Sequence, residues 1–108
     1  MSKFDALQGS LPLLVLKIVE RRGPLHGYAI TTHIEGFSEL LRVEEGSLYP
    51  ALHRLEEAGL IRAEWSETQH KRRVRMYSIT AAGRRRLRED ERRWTAVSAA
   101  IGQVLREA

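Results

Sequence analysis

The chain has 108 residues, 43% of them hydrophobic, and a formal charge of +4, which bounds it to one domain with a modest core. The absence of cysteine excludes disulfides, zinc knuckles, thiolate catalysis and redox sensing. No apolar run approaches membrane-spanning length, and Met1-Ser2-Lys3-Phe4-Asp5 has no signal-peptide character, so a cytoplasmic protein without membrane contact is expected.

Ser10 is expected to cap a first helix, with Pro12 in its opening turn, where a missing N–H costs nothing. Residues 11–19 are apolar almost all round, the mark of a helix buried between other elements, and Gly23-Pro24 ends it. A second helix is predicted from residue 27 to about 34, opened near His26. Ile30, Ile34 and Phe37 share one of its faces, and Gly36 stands near its end. Residues 38–44 read as a linker with a candidate short strand at 41–43.

The third helix carries the most informative pattern. Ser47 is its expected cap, Pro50 falls in the first turn and Gly59 terminates it. At 100° per residue Leu48, Leu52 and Leu55 share the inner face, whereas Pro50, His53 and Glu57 point the opposite way, flanked by Tyr49 and Arg54. Ile61, Ala63 and Trp65 then alternate with polar residues as a half-buried strand, with Trp65 expected in the core. A basic turn, His70-Lys71-Arg72-Arg73, leads into a second strand over Arg73–Ile79. Its phase stays open, because Val74/Met76 and Tyr77/Ile79 face opposite sides. Helix, strand, basic turn, strand is the order of a winged helix-turn-helix, whose third helix enters a DNA groove.

Thr80 caps a last helix over Ala81–Glu107, roughly 40 Å long at 1.5 Å per residue. Leu87, Trp94 and Ile101 fall seven apart, with Val97 and Val104 at the second core position of a heptad. So small a domain has nowhere to bury that stripe, which predicts a homodimer. Asp90 breaks the pattern where an apolar residue is expected. The expected fold is therefore mainly α with a small β-hairpin: a winged helix-turn-helix over residues 1–80 and a dimerisation helix over 81–108.

Charge is segregated along the chain. Residues 68–93 hold ten Lys/Arg against three acids, net +7, whereas residues 1–67 hold seven against ten, net −3. Composition alone leaves two readings level, a polyanion-facing surface or a solvated helix face.

These residues resemble the PadR family of bacterial transcriptional regulators. The likeness rests on Leu7-Gln8-Gly9, on Pro24-Leu25-His26-Gly27-Tyr28-Ala29-Ile30, and on the specific run Gly46-Ser47-Leu48-Tyr49-Pro50-Ala51-Leu52-His53-Arg54-Leu55-Glu56. Gly59-Leu60-Ile61, Trp65, Arg72-Arg73 and Tyr77-Ser78-Ile79-Thr80-Ala81-Ala82-Gly83 complete it. The compact length is similar to the small subgroup with a single C-terminal dimerisation helix. The resemblance implies a winged-helix homodimer that represses from a palindromic operator and is released by a small molecule. It also implies that Ser47, Tyr49, Pro50, His53 and Arg54 lie on or near the DNA-facing side of the third helix.

The candidate DNA contacts are accordingly Ser47, Tyr49, Pro50, His53 and Arg54 on the helix, and Lys71, Arg72 and Arg73 on the wing. A wing needs long cations because it meets the backbone or the narrow minor groove. Tyr49 has two readings, a phosphate contact or packing on the second helix. Leu87, Trp94, Val97, Ile101 and Val104 are the candidate dimer residues. Trp94 is either plain dimer core or one half of an aromatic clamp for a flat hydrophobic effector. His26, His33, His53 and His70 lack metal-ligand spacing, and no phosphate loop or nucleophile–base pair is visible, so neither catalysis, metal nor cofactor is expected. Two other functions remain open: a winged helix that serves as a protein-interaction adaptor, and a non-specific architectural DNA binder.

Overall fold

A computed structural model describes residues 9–108; Leu7, Gln8 and the segment 1–5 lie outside them. The elements are α1 (Leu11–Arg22), α2 (Gly27–Glu35), α3 (Glu45–Glu57), β1 (Ile61–Glu67), β2 (Arg73–Ile79) and α4 (Ala81–Glu107). This is the expected mainly α fold with one antiparallel hairpin. The largely apolar α1 is its hub and packs against α2, α3, β2 and α4. Val15 and Leu16 of α1, Ile30 and Ile34 of α2, Leu48 and Leu52 of α3, and Leu87 of α4 are all essentially inaccessible to solvent.

The helix ends have identifiable causes. At the start of α2 the His26 ring accepts a hydrogen bond through Nδ1 from the Ala29 N–H, 3.2 Å. Ser10 occupies the cap position of α1, but its side chain makes no capping bond. The third helix departs from expectation: it begins at Glu45, not after Ser47. The Glu44 carbonyl accepts from the N–H groups of both Ser47 (2.9 Å) and Leu48 (3.1 Å), so the helix starts three residues earlier. Pro50 then lies in the second turn, where its missing N–H leaves the Gly46 carbonyl without its helical donor. At the far end the Leu60 N–H donates to Leu55 O and the Gly59 N–H to Glu56 O, with Gly59 at φ +76°. That is a Schellman stop, which needs a residue at ease in the left-handed region.

No strand forms at residues 41–43. The Val43 N–H is held by Glu35 Oε2 at 2.8 Å, and Ser38 takes up the Leu40 and Leu41 N–H groups, so this linker satisfies its backbone through side chains and a turn. The hairpin's third partner is instead Leu25, in the α1–α2 turn, which exchanges both backbone hydrogen bonds with Tyr77. Phe37 also departs from its predicted face: α2 stops at Glu35, and Phe37 is 73% exposed.

The hairpin register pairs Ile61 with Ile79, Ala63 with Tyr77, Trp65 with Arg75 and Glu67 with Arg73. It settles the open phase, with Tyr77 and Ile79 facing inward beside Ile61. Further out the same face leaves the body, so Trp65 is 58% exposed and not a core residue.

Two contacts bolt α4 to this body. The Thr80 hydroxyl accepts from the Gly83 N–H at 3.0 Å and donates to the Gly59 carbonyl at 2.7 Å. Gly83 itself passes so close to the Leu60 carbonyl that a side chain there would collide with it. Leu87, expected at the dimer seam, is 0% exposed within its own protomer. The first turns of α4 are used up by the chain's own core, and the free stripe begins only at Trp94. Asp90, at the transition, pairs with Arg86 and Arg93 of the same helix, which accounts for its break in the heptad.

Candidate nucleic-acid interface

The outer face of α3 carries Tyr49, Pro50, His53 and Arg54, all exposed, with Ser47 half-buried at its edge. The inner residues Leu48, Ala51, Leu52 and Leu55 fix its rotation, so the strip's direction is dictated by core packing. His53 Nδ1 lies 3.5 Å from Glu57 Oε1 one turn on. Arg54 makes no ion pair among the described residues.

Of the two readings the sequence left open for Tyr49, the fold shows the packing on the second helix. Its ring lies over the first residue of α2, where a Cβ on Gly27 would come within 2.9 Å of the phenol oxygen and 3.2 Å of two ring carbons. Half of the side chain remains exposed. Gly27 is thus a seat for Tyr49, a role the sequence conceals because a glycine opening a helix has an ordinary local explanation.

The wing tip is a three-residue loop. The Thr68 N–H donates to Arg72 O at 2.8 Å, the Lys71 N–H returns to Thr68 O at 2.9 Å, and the Thr68 hydroxyl accepts from the His70 and Arg72 N–H groups. This is a type I turn followed by one left-handed residue. That residue is Lys71, at φ +60°, where glycine or asparagine is the usual occupant. Lys71, Arg72 and Arg73 are all exposed and make no ion pair among the described residues.

The ten cations of the basic block divide by what they touch. Arg75 bonds Glu56 of α3 at 2.9 Å, Arg88 approaches Glu20 of α1 at 3.5 Å, and Arg86 and Arg93 flank Asp90. Lys17 of α1 adds a 3.0 Å pair to Glu91. These are internal ties, so a count of charge along the sequence overstates what is available to a polyanion. The wing cations are available. Arg73 is also placed over the Trp65 ring, 4.6 Å from its centroid, with Arg75 at 5.5 Å. Tyr77 sits beneath this cluster: burial above all raises its pKa, opposed by the Arg75 charge and reinforced by Glu56 and Tyr49.

On α4, Trp94, Val97, Ile101, Val104 and Leu105 are each more than half exposed. Leu105 joins the expected stripe although it falls outside the heptad positions. Among the described residues no group of His, Asp and Glu could hold a metal ion, and no helix is long and apolar enough to cross a membrane.

Residues 15–89 match the model of the "Transcriptional regulator PadR-like family". The chain belongs to this family. In structure it is similar to a PadR family transcriptional regulator from Eggerthella lenta, with a TM-score of 0.80 and 33% identity, covering 94% of this chain and 86% of that one. A PadR-like transcriptional regulator from Bacillus cereus gives a TM-score of 0.79 at 27% identity, covering 94% and 97%. In sequence the chain is 41% identical over 68 residues to the transcriptional regulator Rv3488 of Mycobacterium tuberculosis, covering 63% of this chain and 61% of that protein. It is 42% identical over 86 residues, 80% of this chain, to an uncharacterized 37.1 kDa protein in a Streptomyces fradiae transposon, but spans only 23% of it. The chain is accordingly PadR-like, in a family of transcriptional regulators, and it spans less than two thirds of the length of these two sequence relatives. Its long last helix is common to these winged-helix neighbours.

Proposed function

We propose that this PadR-like regulator is a homodimeric, sequence-specific repressor that occupies a palindromic operator. In this proposal residues 1–80 read DNA, through Ser47, Tyr49, Pro50, His53 and Arg54 in the major groove and Lys71, Arg72 and Arg73 on the flanking backbone. Residues 81–108 join two copies through Trp94, Val97, Ile101 and Val104. The observation that carries it is the pairing of an outward-facing mixed strip on α3 with wing cations that have no ion-pair partner among the described residues. The mixture separates base reading from purely architectural binding, which needs mainly Arg and Lys. Apolar side chains more than half exposed on the last four turns of α4 support the dimer. A flat apolar effector that parts the two Trp94 rings would release DNA only if it bound one spacing of the heads better than the other.

Selection of bound duplexes from genomic fragments, followed by footprinting, tests this. The expected footprint is an inverted repeat with half-site centres about 10 base pairs apart, or a multiple. A single asymmetric half-site at saturation would sink the dimeric reader. Screening planar apolar compounds by quenching of Trp94, with Trp65→Phe to isolate it, tests the effector. Quenching with no change in DNA affinity would leave Trp94 as dimer core.

A further inference from the structure

Three side chains of the outer hairpin and one of α3 form a connected column. Glu56, near the C-terminus of α3, bonds Arg75 of β2 through Nη2 at 2.9 Å. Arg75 lies directly opposite Trp65 in the strand register and 5.5 Å from its ring. Arg73, two residues on, covers the same ring at 4.6 Å. The order is anion, cation, aromatic, cation. It runs from the recognition helix to the base of the wing tip, and its Glu56–Arg75 ion pair ties α3 directly to the hairpin.

Glu56, Arg75 and Trp65 are better explained as internal parts than as DNA contacts, and Arg73 is the member left facing solvent. Arg75 Nε is buried with no hydrogen-bond partner among the described residues, and its Nη2 is committed to Glu56, so this guanidinium is partly turned to protein although it belongs to the basic run. Glu56 is an acid, which phosphate would repel. Trp65 offers its face to two guanidiniums, the arrangement in which a ring quadrupole orients a cation. An unrestrained arginine samples many rotamers, and fixing it costs entropy whenever it binds. A ring beneath Arg73 removes part of that cost in advance.

We propose that Glu56, Arg75 and Trp65 form a strut that fixes the span between recognition helix and wing and aims Arg73, making them positioning residues for DNA reading. The proposal rests on the functional reading above. A fixed span matters only where helix and wing must engage at one register, as on a specific site. Random DNA lets each bind as it finds phosphate, so loss of the strut lowers discrimination more than general affinity.

The test is a charge swap. Glu56→Arg and Arg75→Glu change the net charge in opposite directions, so affinity for a random duplex should rise in the first and fall in the second. The ratio of affinities, selected duplex over random duplex, should fall in both by about two- to five-fold, the scale of exposed ion pairs and cation–π contacts. The double variant restores both the ratio and the original net charge. Trp65→Phe should keep the ratio and Trp65→Leu lose it, although both preserve an apolar side chain. The duplex used is one enriched from a random pool by the wild-type protein. Hydrogen exchange of the hairpin in the free protein reads the strut without DNA: faster in each single reversal, restored in the double. A discriminating wild type whose ratio is unchanged in both single reversals overturns the strut alone. A wild type that discriminates among no duplexes sinks the functional reading and the positioning role with it.

Discussion

Replacing Gly83 with alanine measures how firmly α4 is bolted to its head. The added methyl would land against the Leu60 carbonyl oxygen and 2.7 Å from Ile79 Cγ1. The first obstacle is backbone, so no side chain can swing aside and the first turn of α4 must retreat. Overpacking of this kind costs about 1–3 kcal/mol. Retreat also strains the Thr80 cap, which holds the Gly83 N–H at 3.0 Å, a loss of about 1 kcal/mol. Alanine returns about 0.8–1.0 kcal/mol as the better helix former. A mid-range net loss of about 2 kcal/mol lowers Tm by about 8–16 °C in a domain of this size. Calorimetry at one fixed protein concentration is the assay, because the proposed dimerisation would make Tm concentration-dependent. Gly46→Ala is the control: nothing lies within 4 Å of its added carbon, so its Tm should hold or rise. An unchanged Tm in Gly83→Ala would refute the close approach as a determinant of how α4 docks.

Four other outcomes are expected. Trp94→Lys with Ile101→Lys puts charges into the exposed stripe and should give monomers that bind DNA poorly; sedimentation of an intact dimer would rule that interface out. Arg72→Ala should weaken operator and random DNA alike, reducing the slope of log K on log salt by roughly 0.9 for the phosphate no longer neutralised. His53→Ala or Arg54→Ala should narrow the gap between operator and random DNA by about 1–3 kcal/mol where the side chain reads a base edge, and equal losses on both DNAs would make the strip a positioning surface only. The raised pKa of Tyr77, caused chiefly by burial, favours the neutral phenol in the folded state. That contribution is full below the unfolded value of 10.0 and is lost as pH rises through the folded value, so alkaline denaturation titrations should show a stability loss that Tyr77→Phe removes.

Much of the architecture is legible because periodicity records burial. The Leu48–Leu52–Leu55 face, the Thr80 cap and the bounds of α4 stand where the sequence puts them. The start of α3 is not legible, because Ser47 has a capping side chain whereas the cap residue in the fold is Glu44, whose carbonyl does the work. Leu87 belongs to its own head and not to the seam, a distinction no heptad pattern can make between a chain's own core and a partner's. The rung between Leu25 and Tyr77 has no pattern at all, being a single residue of a turn. For the outer hairpin the missing quantity is register. Once Trp65 is set opposite Arg75, the cation–aromatic column follows from the alternation of strand side chains, and Trp65 cannot be core.

The division of α4 into a docked beginning and an exposed end limits how the helix can change length. Leu87 and Trp94 are seven residues apart, which brings them to nearly the same side of the rod. The side that starts inside its own head therefore continues past it as the apolar stripe. One residue inserted between Glu91 and Trp94 would turn that stripe by about 100° and advance it by about 1.5 Å. Seven would bring it almost back to its original facing, displaced by about 10 Å. Insertions and deletions in this stretch therefore keep the facing best in steps of seven residues, about 20° off, and next best in steps of four, about 40° off, each step giving the two ends of the helix a new separation.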